Sequence, residues 1–358
     1  MSETRQHRGY IASWTGIFVS LAFVLLLLRR YNLSDTIHAL SAMNYLYLLP
    51  AGILILTNFI ARAQRWRVLF TASENPPLLS SFMALMVGYL ANNVLPARGG
   101  DIVRSYVLAR RESLTGSAIF ATVVIERITD LVILLLMASV LLLFAPLPPW
   151  ALRAECILAP VAVCSLAFLL VLRVSGKRCM EVLLSFVRFL PDFVIHKIRS
   201  FGAEFVGAVG VLGRRNVLLF VQLTIPIWCS EVLILLVLSR AFNVSLSLLQ
   251  ALFVILAVGI GTSIPSSPGF IGTYEFFFAS SLAAAGLNRG TALSFAIVAH
   301  TVTFFSTNSI GLACLVFNGM SLADLVRGRG RRNFILSQLK KPIAQRQADC
   351  LTLEERYE

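Results

Sequence analysis

Apolar residues run along this chain in long blocks, separated by short polar stretches rich in arginine. A bilayer core takes about 20 consecutive residues of helix. Six blocks meet that length: 11–28, 44–61, 117–145, 155–172, 216–238 and 290–317. Two further blocks are interrupted. The run 78–95 holds Gly88, Asn92 and Asn93 and ends on Pro96, Arg98, Gly99, Gly100 and Asp101. The run 246–263 breaks at Pro265, Ser266, Ser267, Pro268, Gly269 and Gly272, then resumes over 273–286. The pattern predicts an all-α integral membrane protein with about six full transmembrane spans. Two re-entrant broken-helix hairpins complete eight hydrophobic segments.

Basic residues suggest the topology, because Lys and Arg concentrate in cytoplasmic loops. With the N-terminus inside, the second span delivers Arg62, Arg65 and Arg67 to the cytoplasm. A full crossing by 78–95 would leave Arg104, Arg110 and Arg111 outside, whereas a turn at 96–100 returns them. The second half reads as the same plan inverted, with halves of about 1–145 and 154–317. The two breaks share Pro-x-x-x-Gly, Pro96 to Gly100 and Pro265 to Gly269. Inverted repeats with interrupted helices are a recurring transporter architecture. The segment 173–215 mixes apolar residues with Lys177, Arg178, Arg188, Lys197, Arg199, Arg214 and Arg215, and is expected to form amphipathic helices on the cytoplasmic face. A basic tail, 318–358, follows, so both termini are expected in the cytoplasm, on a multi-pass protein of the cytoplasmic (inner) membrane. The block 11–28 resembles a signal peptide, but Arg29, Arg30 and Tyr31 replace the small residues of a cleavage site.

Composition agrees: 57% of residues are hydrophobic and 14% charged, against roughly 25% charged in soluble domains. The net charge of +13 is therefore read as topology and a grip on anionic headgroups, with no nucleic acid implied. Six cysteines show no CxxC spacing and read as small core residues. The four histidines are scattered, so neither metal nor cofactor is expected. No nucleophile elbow, HExxH or Walker loop is present, and an enzyme is not expected.

The helix around Thr122, Glu126, Arg127, Thr129 and Asp130 carries the chemistry. Glu126 and Asp130 are four apart and share a face, and Arg127 is placed to pair locally with Asp130. Ionisable residues beside the apolar run 131–143 are costly in lipid and mark a pathway or a buried ion cluster, the latter pairing Arg98 or Arg104 with Glu126. Arg98 and Arg104 offer the planar fork suited to phosphate or carboxylate. Asn92, Gly99, Gly100, Asp101, Ser266, Ser267, Gly269 and Glu275 complete the candidate substrate-binding set at the two breaks. Glu231 and His300 lie in other spans, and His300 reads as a satisfied core residue ahead of a proton relay.

Three strings together resemble a known family: Asn-x-x-Leu-Pro-x-Arg-x-Gly-Asp-x-x-Arg over 92–104, Val-x-x-Glu-Arg-x-x-Asp over 123–130 and Ile-Pro-x-x-Pro-Gly-x-x-Gly-x-x-Glu over 264–275. They are similar to the transmembrane, flippase-like region of lysylphosphatidylglycerol synthases and its stand-alone relatives, and Arg62, Arg65, Trp66 and Arg67 fit as well. The resemblance covers the chain to about residue 317. It implies movement of lipids between leaflets, the partners being an anionic phospholipid, a hopanoid or a polyprenyl-linked sugar. The stretch after 317 is shorter than the aminoacyl-transferase domain of the synthases, so lysyl-lipid synthesis is not expected. A small-anion transporter, or a non-transporting partner of a lipid-modifying enzyme, are the other readings.

Overall fold

A computed structural model of the protein describes residues 18–70, 75–95, 99–144, 149–186, 192–210, 214–264 and 266–321. The calls on Pro96, Arg98, Pro265, Arg188 and the tail from 322 lie outside the described residues. Every described regular element is helical. The helices are α1 (18–30), α2 (Leu33–Ala42), α3 (Leu48–Arg67), α4 (Leu78–Val94), α5 (Gly100–Glu112) and α6 (Gly116–Phe144). Then follow α7 (Pro149–Phe186), α8 (Asp192–Gly210), α9 (Arg214–Ala241), α10 (Leu248–Ser263), α11 (Thr273–Ala284) and α12 (Arg289–Phe317).

Five described helical segments are long and apolar enough to cross a membrane: Tyr45–Arg67, Gly116–Phe144, Ala151–Gly176, Asn216–Ala241 and Arg289–Phe317. They correspond to five of the six expected spans. The sixth, 11–28, lies partly outside the described residues and contributes α1. The protein is an all-α membrane protein.

The two interrupted blocks form helical hairpins. In the first, Arg111 donates to the Ser80 hydroxyl (2.8 Å) and Gly100 N–H to the Asn92 side chain (2.9 Å), so α4 and α5 run antiparallel. Their close approach depends on glycine. A Cβ on Gly100 would stand 2.0 Å from the Gly88 carbonyl oxygen, and one on Gly88 2.8 Å from Arg104 Cβ. In the second hairpin, Gln250 at the start of α10 donates to Ala285 beyond α11 (3.0 Å). Ser247 and Gln250 close a capping box there, which fixes where α10 starts. The turn between α10 and α11 carries left-handed Gly269 and Gly272, where a side chain would be strained.

The open ends of the two hairpins lie beside opposite ends of α12. Arg111 also donates to Asn318 at the end of α12 (3.2 Å), and Arg67 at the end of α3 to Pro76 before α4 (2.7 Å). At the other end, Asn44 N–H donates to Ala241 at the end of α9 (2.8 Å). Thr36 of α2 accepts from Ser294 near the start of α12 (2.8 Å). The turns meet at the long α12: Asn93 donates to Asn308 (3.3 Å), and a Cβ on Gly269 would stand 2.8 Å from the Phe304 ring.

Three features differ from the sequence reading. The block 155–172 is the middle of a 38-residue helix, α7, kinked at Ser175 (φ −135°, ψ 34°). Charged residues beyond 172 end the apolar block without ending the helix. The short α2, capped by Asn32 through Ser34 N–H (3.0 Å), lies in what reads as a loop. Cys156, Cys164 and Cys229 are exposed on the bundle surface; of the described cysteines, only Cys314 is buried.

Candidate functional site

Arg65 lies in the last turn of α3 and is fully buried there, together with Ala63 and Trp66. The Trp66 indole N–H donates to Thr122 (2.9 Å) and so fixes α3 against α6. One and two turns on from Thr122, Glu126 and Asp130 meet Arg65. Its Nη1 donates to Asp130 Oδ1 (2.7 Å), and its Nη2 to Asp130 Oδ2 and Glu126 Oε1 (both 3.1 Å). The second oxygen of Glu126 accepts from Arg104 Nη1 of α5 (2.9 Å). Glu126 thus bridges two arginines on two helices, and all three are buried to within 2%.

Arg104 also lies 3.3 Å from Asp101 and over the Trp66 ring, 4.9 Å from its centroid. Its Nη2 is buried with no hydrogen-bond partner among the described residues. Asp101 is shared with Arg127, whose Nε and Nη2 donate to its two oxygens at 3.0 and 2.7 Å. The local Arg127–Asp130 pair expected from spacing does not form, because Arg65, from another helix, takes both oxygens of Asp130. Thr129 also turns away, its hydroxyl bonding back to Ile125 and Glu126.

The network continues along α3. Arg62 donates to Asn58 (2.8 Å) and to Glu231 of α9 (2.9 Å), and Asn58 donates to Ile227 and Ser230 (3.0 and 2.6 Å). Glu231, a lone acid by sequence, is therefore half of an interhelical ion pair. Among the described residues the network balances four guanidinium groups (Arg62, Arg65, Arg104, Arg127) against four carboxylates (Asp101, Glu126, Asp130, Glu231). Neither Arg62 nor Arg65 belonged to the sequence-derived site. Their signal was the Arg62-x-x-Arg65 spacing, which places both on one helix face.

On the outer side of α5 and α6 a cleft of about 230 Å³ opens, lined by Asp101, Phe120, Val123, Val124, Arg127, Ile128 and Leu131. The Arg127 side chain is 46% exposed and Asp101 25% exposed. The cleft joins an ion pair to a greasy wall, and Arg104 is not part of its lining.

The second hairpin's residues stand apart from this network. Glu275 lies in the first turn of α11, where Gly272 N–H donates to it (2.7 Å), and its other oxygen meets His300 Nδ1 on α12. Ser267 N–H donates to Ser20 of α1 (2.9 Å), and the Ser267 hydroxyl to Ile271 (3.3 Å). The Ser266 hydroxyl is buried without a partner among the described residues. The structure thus gathers Asp101, Arg104, Glu126, Arg127 and Asp130 at one place, and Ser266, Ser267, Gly269 and Glu275 at another. Asn92 and Gly100 close the first hairpin, and Gly99 lies at its turn.

The description "Lysylphosphatidylglycerol synthase TM region" matches residues 13–311. The chain belongs to this family. Among relatives, a UPF0104 membrane protein of Methanothermobacter thermautotrophicus is 26% identical over 337 residues, 89% of this chain and 98% of the relative. A UPF0104 membrane protein of Pyrococcus horikoshii is 20% identical over 320 residues, 82% and 94% of the two chains. The glycosyltransferase AglD of Haloferax volcanii is 24% identical over 345 residues, 87% of this chain and 55% of that protein. No solved structure matches the chain. Family and apolar helices together make this a multi-pass membrane protein.

Proposed function

We propose that this protein is a lipid translocase that moves an anionic or lipid-linked molecule between the leaflets of the cytoplasmic membrane, both termini facing the cytoplasm. The observation that carries the reading is the cleft between α5 and α6. An exposed arginine on an apolar helix is costly in lipid and marks a polar path. Here Arg127 is held by Asp101 at one end of a wall made of Phe120, Val123, Val124, Ile128 and Leu131. Its Nη1 makes no hydrogen bond among the described residues and can reach a headgroup phosphate, while acyl chains lie along the wall. Arg104, Glu126, Arg65 and Asp130 hold α5 and α6 in register behind it. The hairpins act as re-entrant elements of an inverted repeat, which is supported by their open ends lying beside opposite ends of α12 and their turns meeting against it.

No catalytic role is assigned to any residue. The name of the Haloferax volcanii relative, a glycosyltransferase in which this region is about half of the protein, favours a lipid-linked sugar over an aminoacylated lipid. The same relative supports a second reading, a membrane partner of a lipid-modifying enzyme. Proteoliposomes separate the two. Purified protein alone is expected to expose a fluorescent phosphatidylglycerol to an external quencher faster than empty liposomes. Arg127→Gln should slow exposure about tenfold, the loss of roughly 1.5 kcal/mol of charge-assisted contact. Rates no faster than those of empty liposomes, for phosphatidylglycerol and for a fluorescent polyprenyl-linked sugar alike, would remove the translocase reading.

A further inference from the structure

We propose that the Glu275–His300 pair is a proton-carrying site that loads one proton with each anionic lipid moved, so that the protein works as an electroneutral symporter. The inference rests on the translocase reading above and adds its energy coupling. The ionic network around Glu126 is charge-balanced among the described residues, so an anionic headgroup held at Arg127 adds a negative charge that the network does not offset. A carboxylate in an apolar interior needs a partner, and no Lys or Arg makes an ion pair with Glu275 among the described residues. Its partners are the Gly272 N–H, the N-terminal turn of α11, and His300. Histidine is the side chain whose charge changes near neutral pH.

Aromatic rings flank the His300 side of the pair. Tyr274 of α11 stacks on the His300 ring (4.4 Å between centroids, 22°), and Phe304 meets it edge-on at 5.9 Å. From α9, Glu231 is the charged group within electrostatic reach of Tyr274, and it is already held by Arg62. With a neutral imidazole, Nδ1–H donates to the Glu275 carboxylate and the pair carries −1. A proton arriving at Nε2 makes an imidazolium facing a carboxylate, with net charge zero. Its departure from Nε2 restores −1, and no other bond changes. The pair joins the first turn of α11 to the middle of α12. Its protonation is therefore sensed where one hairpin touches the rest of the bundle. Phe270, four residues before Tyr274, holds a left-handed backbone (φ 60°) unusual for an aromatic residue, which marks the turn as a place where strain is stored.

The test is leaflet asymmetry of a fluorescent phosphatidylglycerol in proteoliposomes under a pH difference of one unit. One proton per lipid makes that difference worth about tenfold in distribution. Wild-type protein is expected to concentrate the probe about tenfold in the leaflet on the alkaline side, and to distribute it equally without a gradient. His300→Asn, whose amide nitrogen replaces Nδ1, is expected to exchange the probe yet reach equal leaflets with or without the gradient. Exchange by the wild type without asymmetry, or asymmetry kept in His300→Asn, would overturn the inference. If the wild type exchanges no lipid, the translocase reading fails. The pair is then judged by 15N-histidine NMR on the purified protein, with His300→Asn assigning the signal. An imidazole that takes up one proton when phosphatidylglycerol micelles are added supports the proton site, and one that stays unchanged refutes it.

Discussion

Changing Glu126 to Gln keeps the volume of the side chain and removes the one charge that Arg65 and Arg104 share. Arg65 keeps Asp130 at 2.7 and 3.1 Å. Arg104 keeps only Asp101 at 3.3 Å as a charged partner, an acid already engaged by Arg127. The amide also turns an N–H₂ toward one of the guanidinium groups. Two unit charges about 4 Å apart attract by about 4 kcal/mol at the effective dielectric of protein sites. Removing one partner of a buried pair costs about 3–5 kcal/mol in measured cases. Glu126→Gln is therefore expected to lower the unfolding free energy by about 3–5 kcal/mol, measured by tryptophan fluorescence during denaturation in mixed micelles. The double variant Arg104→Gln/Glu126→Gln restores charge balance and should recover about 1–3 kcal/mol of that loss, a coupling typical of contacting residues. Glu126→Gln within about 0.5 kcal/mol of wild type, or a double variant no more stable than the worse single one, would refute the bridging role.

Three further outcomes are expected. Gly100→Ala places a methyl group 2.0 Å from the Gly88 carbonyl, so the first hairpin must open; a loss of about 1–3 kcal/mol and new labelling of a cysteine placed at Val107 are expected. Glu231→Gln alone should destabilise, because it leaves the Arg62 charge with only the Asn58 side chain, while Arg62→Met/Glu231→Leu should return to within about 1 kcal/mol of wild type, since apolar replacement of an ion pair is often neutral even when it is buried and this one is partly exposed; thermal unfolding checks both. Gly272→Ala combines a left-handed backbone (φ 85°) with a contact of 2.8 Å to the Ser20 carbonyl. It is expected to loosen α1 from the second hairpin, read as lost disulfide cross-linking between cysteines placed at Phe23 and Phe276, whose rings are 4.8 Å apart.

Much of the architecture was readable because membrane helices declare themselves by length and apolarity. The two helix breaks, between α4 and α5 and between α10 and α11, were foreseen from the Pro and Gly residues after Leu95 and Ile264, whereas Gly88, Asn92 and Asn93 sit inside α4 without interrupting it. What sequence could not supply was the third dimension of the ion pairs. Arg127 and Asp130 are one turn apart, yet each pairs with a residue from another helix: Asp101 from α5 and Arg65 from α3. Local spacing scores only contacts within one helix, and here the charges are placed to tie helices together. Arg62 and Arg65 read as a topological signal at the end of a span, although the inward face of α3 extends to its last turn. His300 reads as an ordinary core residue until α11 brings Glu275 against it. The continuation of α7 past 172 and α2 were missed for simpler reasons: the charged stretch after 172 reads as separate amphipathic helices, and the shortness of α2 resembles loop.

The most direct test of lipid passage along the α5–α6 cleft is to block it without touching its charges. Val124→Trp fills the apolar wall beside Arg127, whereas Leu143→Trp adds the same ring at an exposed position (80%) near the far end of α6. Measured as exposure of fluorescent phosphatidylglycerol in proteoliposomes, Val124→Trp is expected to slow translocation at least about tenfold, the equivalent of about 1.4 kcal/mol, and Leu143→Trp to match wild type. Equal rates for the two variants would contradict passage through the cleft.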